Sequence, residues 1–136
     1  MAAKSCGVRS PPISPEAAIC APEQILIGSG AEYLYGLNIQ VLGQGQIYAL
    51  EDPSYQKIEQ VYRANGISID KLRMGKSCIE TSELIRTRAR VLHVTPFNSY
   101  PSGITATASK RAEYLRFARE CHAMIIEDDF DSEFTL

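Results

Sequence analysis

The 136-residue sequence has no tryptophan, only two histidines, and no marked excess of either charge. Its 14 basic and 16 acidic side chains leave a formal net charge of −2, so the composition gives no electrostatic reason to expect nucleic-acid binding. No apolar run approaches the ~18 residues that a membrane-spanning helix needs. The N-terminus lacks the apolar core of a secretion signal, so we expect a cytoplasmic location and no membrane contact.

Cysteine and histidine are too sparse and too scattered for a recognisable metal site. The four cysteines, which form no C-x-x-C pair, are Cys6, Cys20, Cys78 and Cys121. A structural zinc ion needs clustered thiolate and imidazole ligands, so we expect no metal. Cys121 and His122 are adjacent and could form a thiol with its base. Neighbours in sequence rarely face each other, however, and buried structural cysteines are the expectation.

Residues 1–22 carry four prolines and little apolar periodicity, which predicts an irregular lead-in. Strand-like and helix-like segments then alternate over residues 23–136. The predicted strands lie in QILIGSG, QIYALEDPSY, ISIDKLRM, RVLHVTPF and MIIE. The predicted helices lie in AEYLYGLNIQVLG, YQKIEQVYRANG, SCIETSELIRTRA and SKRAEYLRFARECH. This alternation is typical of βαβ units, so we predict an α/β domain with a mainly parallel sheet.

Local signals predict some of the helix details. Asn65-Gly66 is a left-handed stop for the second helix, and Ser77 with Glu80 has the spacing of a capping box for the third. The last helix carries a stripe with the i, i+3, i+4, i+7 spacing of a core-facing side, at Tyr114, Phe117, Ala118 and Cys121.

Residues with special chemistry follow the predicted strands at their carboxyl ends, where parallel sheets bind ligands. The turn at residues 28–32, GSGAE, places bare amides at a helix start, as a phosphate cradle does, although such glycines often serve only the turn. It is not a Walker A loop, because no Gly-Lys-Ser/Thr follows. Tyr55 could stack on a flat ligand or simply pack. Asn98 and Ser99 could bind a ligand, or belong to a plain surface turn.

The last predicted strand runs into a cluster of acids in MIIEDDFDSEF, residues 124–134. The acidic residues are Glu127, Asp128, Asp129, Asp131 and Glu133. Solubility would explain such a cluster, and so would a bound positive group. Carboxylates buried at this depth, such as Asp128 and Asp129, are costly unless paired. A phosphate cradle, a stacking ring and a carboxylate for a ring nitrogen together fit pyridoxal phosphate.

Four segments carry a family resemblance: PEQILIGSGAEYL, LEDPSYQKI, HVTPFNSYPSGIT and IIEDDFDSEF. They resemble the large domain of fold-type I (class I/II) aminotransferases, and more specifically the aminotransferase-like domain of MocR-type transcriptional regulators of the GntR family. The resemblance spans residues 22–134. It implies a partial three-layer α/β/α sandwich, pyridoxal 5'-phosphate as cofactor, and an amino acid or amine as substrate or effector.

The resemblance also implies roles for particular residues. Gly30 and Ala31, with Glu32 close by, match the turn that holds the cofactor phosphate. Tyr55 matches the ring that stacks on the pyridine, and Asp128 matches the aspartate that pairs with its nitrogen. Asn98 lies near the position that reaches the ring hydroxyl. Many relatives have tyrosine where this chain has Phe130, so a phenol hydrogen bond to the cofactor is missing.

One departure from the family concerns catalysis. In this fold the Schiff-base lysine lies downstream of the acidic strand, and the sequence ends at Leu136 before such a segment. None of its five lysines matches that position; they are Lys4, Lys57, Lys71, Lys76 and Lys110. The substrate-binding arginine, the small C-terminal domain and the winged helix of the regulators are not in the sequence either. We therefore expect a fragment with no catalytic residue of its own.

Several readings of the parent protein stay open. It could be a regulator that binds DNA through a winged helix, or a free-standing aminotransferase of the aminoadipate or aromatic type. EDDFDSEF favours the regulator, and full-length relatives form homodimers. MIIEDD is also similar to the first strand of a response-regulator receiver, although that strand opens its domain. The last alternative is a folded remnant that binds nothing, or no stable fold at all, because a truncated sheet exposes edges and apolar faces.

Overall fold

The computed structural model describes residues 21–130. Its strands are β1 (Ile47–Asp52), β2 (Ser68–Gly75), β3 (Cys78–Ile79), β4 (Val91–Val94) and β5 (Met124–Glu127). Its helices are α1 (Ala31–Leu42), α2 (Gln56–Ala64), α3 (Thr81–Arg86) and α4 (Ala108–Cys121), and a 3₁₀ turn spans Pro22–Gln24. No helix of this described region is long and apolar enough to cross a membrane.

Within residues 21–130 the strands form one sheet in the order β3-β2-β1-β4-β5. β1 pairs in parallel with β2 and β4, and β4 pairs in parallel with β5, while the two-residue β3 is antiparallel to β2. The mainly parallel sheet is therefore confirmed. The chain passes from β1 to β2 on one side and later returns to β4 on the other. This change of direction opens the carboxyl ends of β1 and β4 as a place for a ligand.

Helices pack against apolar side chains on both faces of the sheet, which gives the domain three layers. One core cluster joins α1 and α2 to the sheet through Tyr35, Ile39, Tyr48, Leu50, Ile58, Tyr62, Ile67, Val91 and Ile126. The opposite cluster joins α3 and α4 through residues that include Ala49, Leu72, Leu84, Leu92, Val94, Tyr114 and Phe117. Alternate residues of β1 and β4 thus face opposite helix layers, as strand geometry requires. The α/β/α sandwich is confirmed.

The predicted strand at residues 24–30 is wrong. Ile25, Leu26 and Ile27 follow the 3₁₀ turn without pairing as a strand and are 55%, 47% and 73% exposed. An apolar run becomes a strand only where a neighbour takes its backbone hydrogen bonds. In the described region, β5 forms the edge of the sheet nearest α1 and pairs only with β4. The run therefore lies outside the sheet, with Leu26 beside α1 and β5.

The predicted capping box at Ser77 and Glu80 is also wrong. Residues 78–79 form β3, and α3 begins only at Thr81, with Glu80 as its N-cap and no side-chain cap hydrogen bond. β3 is too short to produce a periodic signal, so the sequence pattern merged it with the helix. The stop at Asn65-Gly66 is confirmed, because α2 ends at Ala64 and Gly66 has a φ of +75°.

The remaining local predictions have mixed outcomes. In the α4 stripe, Tyr114 and Phe117 are buried, whereas Ala118 and Cys121 are half-buried. Cys78 is a buried free thiol and Cys121 ends α4, with His122 in a left-handed conformation just beyond it. Cys6, Cys20 and nearly all of the predicted lead-in lie outside the described residues, as do Asp131 and Glu133.

Candidate functional site

The turn into α1 depends on two glycines. Gly30 precedes the helix with a φ of +102° and a ψ of 166°, a conformation that essentially only glycine adopts. A Cβ on Gly28 would lie 2.7 Å from Cδ1 of Tyr33 and 2.8 Å from Cδ2 of Leu34. The first amides of α1, from Ala31 onward, have no acceptor in the preceding turn and carry the positive end of the helix dipole. This turn can therefore bind an anion.

The start of α2 lies next to the start of α1. Nζ of Lys57 is 3.8 Å from Oε1 of Glu32, and both side chains are about half exposed. Tyr55 is the N-cap of α2, and its ring is 43% exposed. Its centroid lies 6.0 Å from that of Tyr100 in an edge-on arrangement. Tyr55 is thus placed between the anion-binding turn and the loop that follows β4.

Asp128 follows β5 and is anchored on two sides. Its amide donates to the carbonyl oxygen of Val94, at 2.9 Å. Its side chain is 18% exposed, and Oδ2 accepts a hydrogen bond from the hydroxyl of Tyr35. Because Tyr35 lies in the second turn of α1, this hydrogen bond ties the carboxylate to the helix that begins at the glycine turn.

His93 of β4 connects Asp128 to α2. The hydroxyl of Tyr62 and Nδ1 of His93 are hydrogen-bonded at 2.7 Å. On the other side of the ring, Nε2 lies 3.8 Å from Oδ2 of Asp128. Nε2 is buried and has no hydrogen-bond partner within the described region. The imidazole therefore lies between a buried hydroxyl and the carboxylate.

These neighbours fix the charge of Asp128. Burial raises the pKa of its carboxyl, but His93 and the Tyr35 hydroxyl outweigh burial and bring the pKa below its ordinary value. Burial, followed by the hydrogen bond to Asp128, raises the pKa of Tyr35 far above its usual range. At neutral pH the site therefore holds a carboxylate that accepts from a protonated phenol.

A second buried carboxyl lies at the end of β1. Glu51 is 2% exposed, and its Oε2 accepts a hydrogen bond of 2.6 Å from Oγ of Ser99, which is fully buried. Burial raises the pKa of Glu51 to about 7, against the lowering effect of the Ser99 hydroxyl. Oε1 is buried and lacks a hydrogen-bond partner among residues 21–130. This contact joins β1 to the loop that carries Asn98.

The predicted site residues therefore lie near the carboxyl ends of the parallel strands, and they are held there by separate contacts. Lys57 links the α1 and α2 starts through Glu32, and Tyr35 links α1 to Asp128. Asn98 has a φ of +47°, and its amide donates to Oγ1 of Thr105 at 3.2 Å. Two further predicted site residues are exposed: Ala31 and, at 56%, Phe130. Asp129, the neighbour of Asp128, is exposed as well.

The sequence patterns did not single out Tyr35, Tyr62 or His93. The pattern places each of them on the buried face of its helix or strand. Periodicity predicts that a side chain is buried, but it does not show which other side chains it contacts. One signal was present: a lone histidine inside the apolar strand VLHV needs a polar partner when buried.

Comparisons with known proteins agree on the family. The chain is 30% identical over 115 residues to "Uncharacterized HTH-type transcriptional regulator YdeL" of Bacillus subtilis (strain 168), covering 85% of the chain and 25% of that protein. It is 27% identical over 116 residues to "Probable rhizopine catabolism regulatory protein MocR" of Rhizobium meliloti, covering 85% and 24%. This chain is related to the aminotransferase-like domain of MocR-type regulators. It spans about a quarter of the length of these curated relatives. No protein-family model matches it.

A solved aminotransferase has the same fold. LysN, the α-aminoadipate aminotransferase of Thermus thermophilus, aligns with a TM-score of 0.65 and 26% identity over 74% of the chain and 27% of LysN. LysN was crystallised with N-(5'-phosphopyridoxyl)-L-leucine. The chain therefore has the fold of an aminotransferase large domain and the length of a segment of it. Its aminotransferase and MocR-type relatives imply pyridoxal phosphate dependence in their family.

Proposed function

We propose that this chain forms the pyridoxal-phosphate-binding part of an aminotransferase-like domain, and that the parent protein is a MocR-type regulator that senses an amino acid or amine. One observation carries the proposal: the ionised carboxylate of Asp128 is hydrogen-bonded to Tyr35, one turn inside the helix that begins at the glycine turn. Helix α1 thus begins at a turn that can bind an anion and, through Tyr35, holds the carboxylate of Asp128 in place.

The residues present suit the chemistry of the cofactor. The amides around Gly30, Ala31 and Glu32 would hold the phosphate, and Lys57 partly balances the acid beside it. The exposed ring of Tyr55 would stack on the pyridine. Asp128 would accept the proton of the pyridine nitrogen in a hydrogen bond. When bound with that nitrogen protonated, the cofactor supplies an electron sink.

Two further residues complete the proposed site. Asn98 would contact the ring hydroxyl from the loop that also positions Tyr100 against Tyr55. Phe130 offers an apolar ring without a hydroxyl, so it donates no hydrogen bond to the cofactor. We propose that the parent forms a homodimer and binds DNA through a separate winged helix, as inferred for MocR-type regulators.

Substitution of the anchored carboxylate tests the cofactor site. In the 136-residue chain, Asp128→Ala should weaken pyridoxal phosphate binding about tenfold or more, because a hydrogen bond to a charged group is lost. Equilibrium dialysis at pH 7 measures the dissociation constant. Asp129→Ala is the matched control, since Asp129 is the exposed neighbour, and it should change the constant less than about twofold. Equal effects of the two substitutions would contradict the role of Asp128.

A free-standing aminotransferase is the second candidate, favoured by the likeness to LysN. The two candidates differ in what surrounds this segment in the parent gene. A winged-helix segment upstream in the same reading frame would identify the regulator. The enzyme would be identified if the reading frame instead began with the N-terminal part of an aminotransferase and continued downstream into a segment that carries the Schiff-base lysine.

A further inference from the structure

Several buried side chains attach the loop between β4 and α4 to the core, and one of them, Ser99, joins it to β1 by a hydrogen bond. Ser99 is fully buried, and its Oγ donates to Oε2 of Glu51 at 2.6 Å. The Ser99 amide donates to the carbonyl oxygen of Ile104 at 3.0 Å, and its own carbonyl accepts from the amide of Gly103 at 2.6 Å. The loop is therefore closed on Ser99, and Ser99 is held by Glu51.

The same loop supplies one wall of the proposed cofactor site. Asn98 and Tyr100 flank Ser99, and the Tyr100 ring lies edge-on to Tyr55, with centroids 6.0 Å apart. We propose that Glu51 is a positioning residue, whose buried hydrogen bond to Ser99 holds Asn98 and Tyr100 in place beside Tyr55. This inference rests on the proposed function, because it concerns the same site.

The contact is sensitive to protonation. The titratable groups that face Glu51 are Asp128 after β5, the thiol of Cys78 in β3 and the hydroxyl of Tyr114 in α4. Burial raises the pKa of both Cys78 and Tyr114, so these groups stay neutral. Asp128 is therefore the charge that Glu51 meets when it ionises. Ionised Glu51 is then a buried anion near Asp128, and this desolvation outweighs the hydrogen bonds from Ser99 and the Thr95 backbone, which favours opening of the loop to water.

Amide exchange compares the wild type with Glu51→Gln, which keeps an acceptor for Ser99 but cannot ionise. Protection factors of the Ser99 and Gly103 amides, measured by NMR, should agree between the two proteins at pH 6. At pH 8 the wild type should show protection about fivefold lower than Glu51→Gln, about the effect of one hydrogen bond. Protection that changes with pH alike in both proteins would overturn the inference. This readout needs no bound cofactor.

Cofactor binding tests the positioning role. Ser99→Ala should weaken pyridoxal phosphate binding about fivefold, the effect of one lost hydrogen bond. Thr87→Ala is the matched control, because Thr87 is buried and its Oγ1 donates to Oδ2 of Asp70 at 2.7 Å. Thr87 precedes β4 and so lies at the opposite end of the strands from the proposed site. It should leave binding within about twofold.

The results separate the inference from the function on which it rests. Absence of binding to the wild type would refute the proposed function, while the exchange comparison still decides the role of Glu51. Binding that is equal in the wild type and Ser99→Ala, with unchanged loop protection, would refute the positioning role alone. A Ser99→Ala chain that fails to fold leaves the comparison with Glu51→Gln decisive.

Discussion

The carboxylate of Asp128 depends on hydroxyl and imidazole groups from two other elements. Tyr35 comes from α1 and His93 from β4, and neither is near Asp128 in sequence. An aspartate this little exposed would, from burial alone, have a raised pKa. Its low pKa is therefore a property of the assembled fold.

Removal of one hydroxyl tests this dependence. Tyr35→Phe should raise the pKa of Asp128, because burial would then be opposed only by His93. A carboxyl NMR titration measures the pKa. Since the folded pKa lies below the unfolded value, Asp128 stabilises the fold above the unfolded pKa and loses this contribution as the pH falls through the folded one. Tyr35→Phe should reduce that loss.

The control lies on the exposed side of the same helix. Tyr33 is 52% exposed, so Tyr33→Phe should leave the pKa of Asp128 unchanged. The dependence on the Tyr35 hydroxyl is refuted if both variants titrate like the wild type.

Residue types in the sequence indicated the chemistry of the site but not its contacts. Asp128 and Tyr55 follow strands, and the rule for parallel sheets is sufficient to place them at the same end of the sheet. The glycine turn follows no strand, so that rule does not place it. Tyr35 and Tyr62 lie in helices and reach the site because α1 and α2 pack on the same face of the sheet. Such contacts depend on the three-dimensional arrangement and leave no local pattern.

Among the elements, α1 has two glycines with opposite requirements, one at its N-cap and one in its interior. Gly30 needs its positive φ at the helix start, whereas Gly36 lies inside the helix, and a Cβ at either position would meet nothing within 4 Å. Only backbone effects therefore distinguish them, which makes the pair a clean comparison.

Alanine at each glycine should have effects of opposite sign. Gly36→Ala should stabilise the fold by about 0.5–1 kcal/mol, because glycine inside a helix has a greater loss of backbone entropy. Gly30→Ala should cost about 1–3 kcal/mol, because alanine does not adopt that backbone conformation without strain. Urea unfolding followed by far-UV circular dichroism measures both. A stabilising Gly30→Ala would contradict the strained start of α1.

Elements with strong periodicity could be predicted, and short or unpaired ones could not. β1, β2, α2 and α4 have the alternating or helical pattern that burial of one face imposes. β3 is two residues long and leaves no pattern. The run at residues 25–27 is apolar enough for a strand, yet whether an apolar run joins a sheet depends on a neighbouring strand. Local sequence contains no such information.

At the scale of the whole molecule, the proposed cofactor contacts come from the start of α1 and from the carboxyl ends of β1, β4 and β5, and no lysine matches the family's position. Among residues 21–130, Lys57 lies beside the proposed site, where it faces Glu32 at 3.8 Å. It is half exposed and lies beside the start of α1, where the cofactor phosphate is proposed to bind. It is therefore badly placed to react with the aldehyde of a bound cofactor.

Borohydride trapping tests the absence of a specific lysine. With added pyridoxal phosphate, reduction should label the lysines weakly and without a preferred site, as peptide mapping by mass spectrometry would show. The chain should also develop no strong lysine-dependent absorbance near the visible edge. Lys57→Arg is the control, and it should remove only its own share of the label. Stoichiometric labelling of a single lysine would contradict the assignment of this segment within the fold.

The position of β1 in the middle of the sheet has a consequence for how the protein forms. Leu50 pairs with Lys71 on one side and with His93 on the other, so the second edge of β1 stays open until α2, β2 and α3 have been synthesised. Pairing between strands so far apart in sequence is slow, and exposed edges favour aggregation meanwhile. On the ribosome, Glu51 and Tyr55 therefore emerge well before the strand that completes their surroundings.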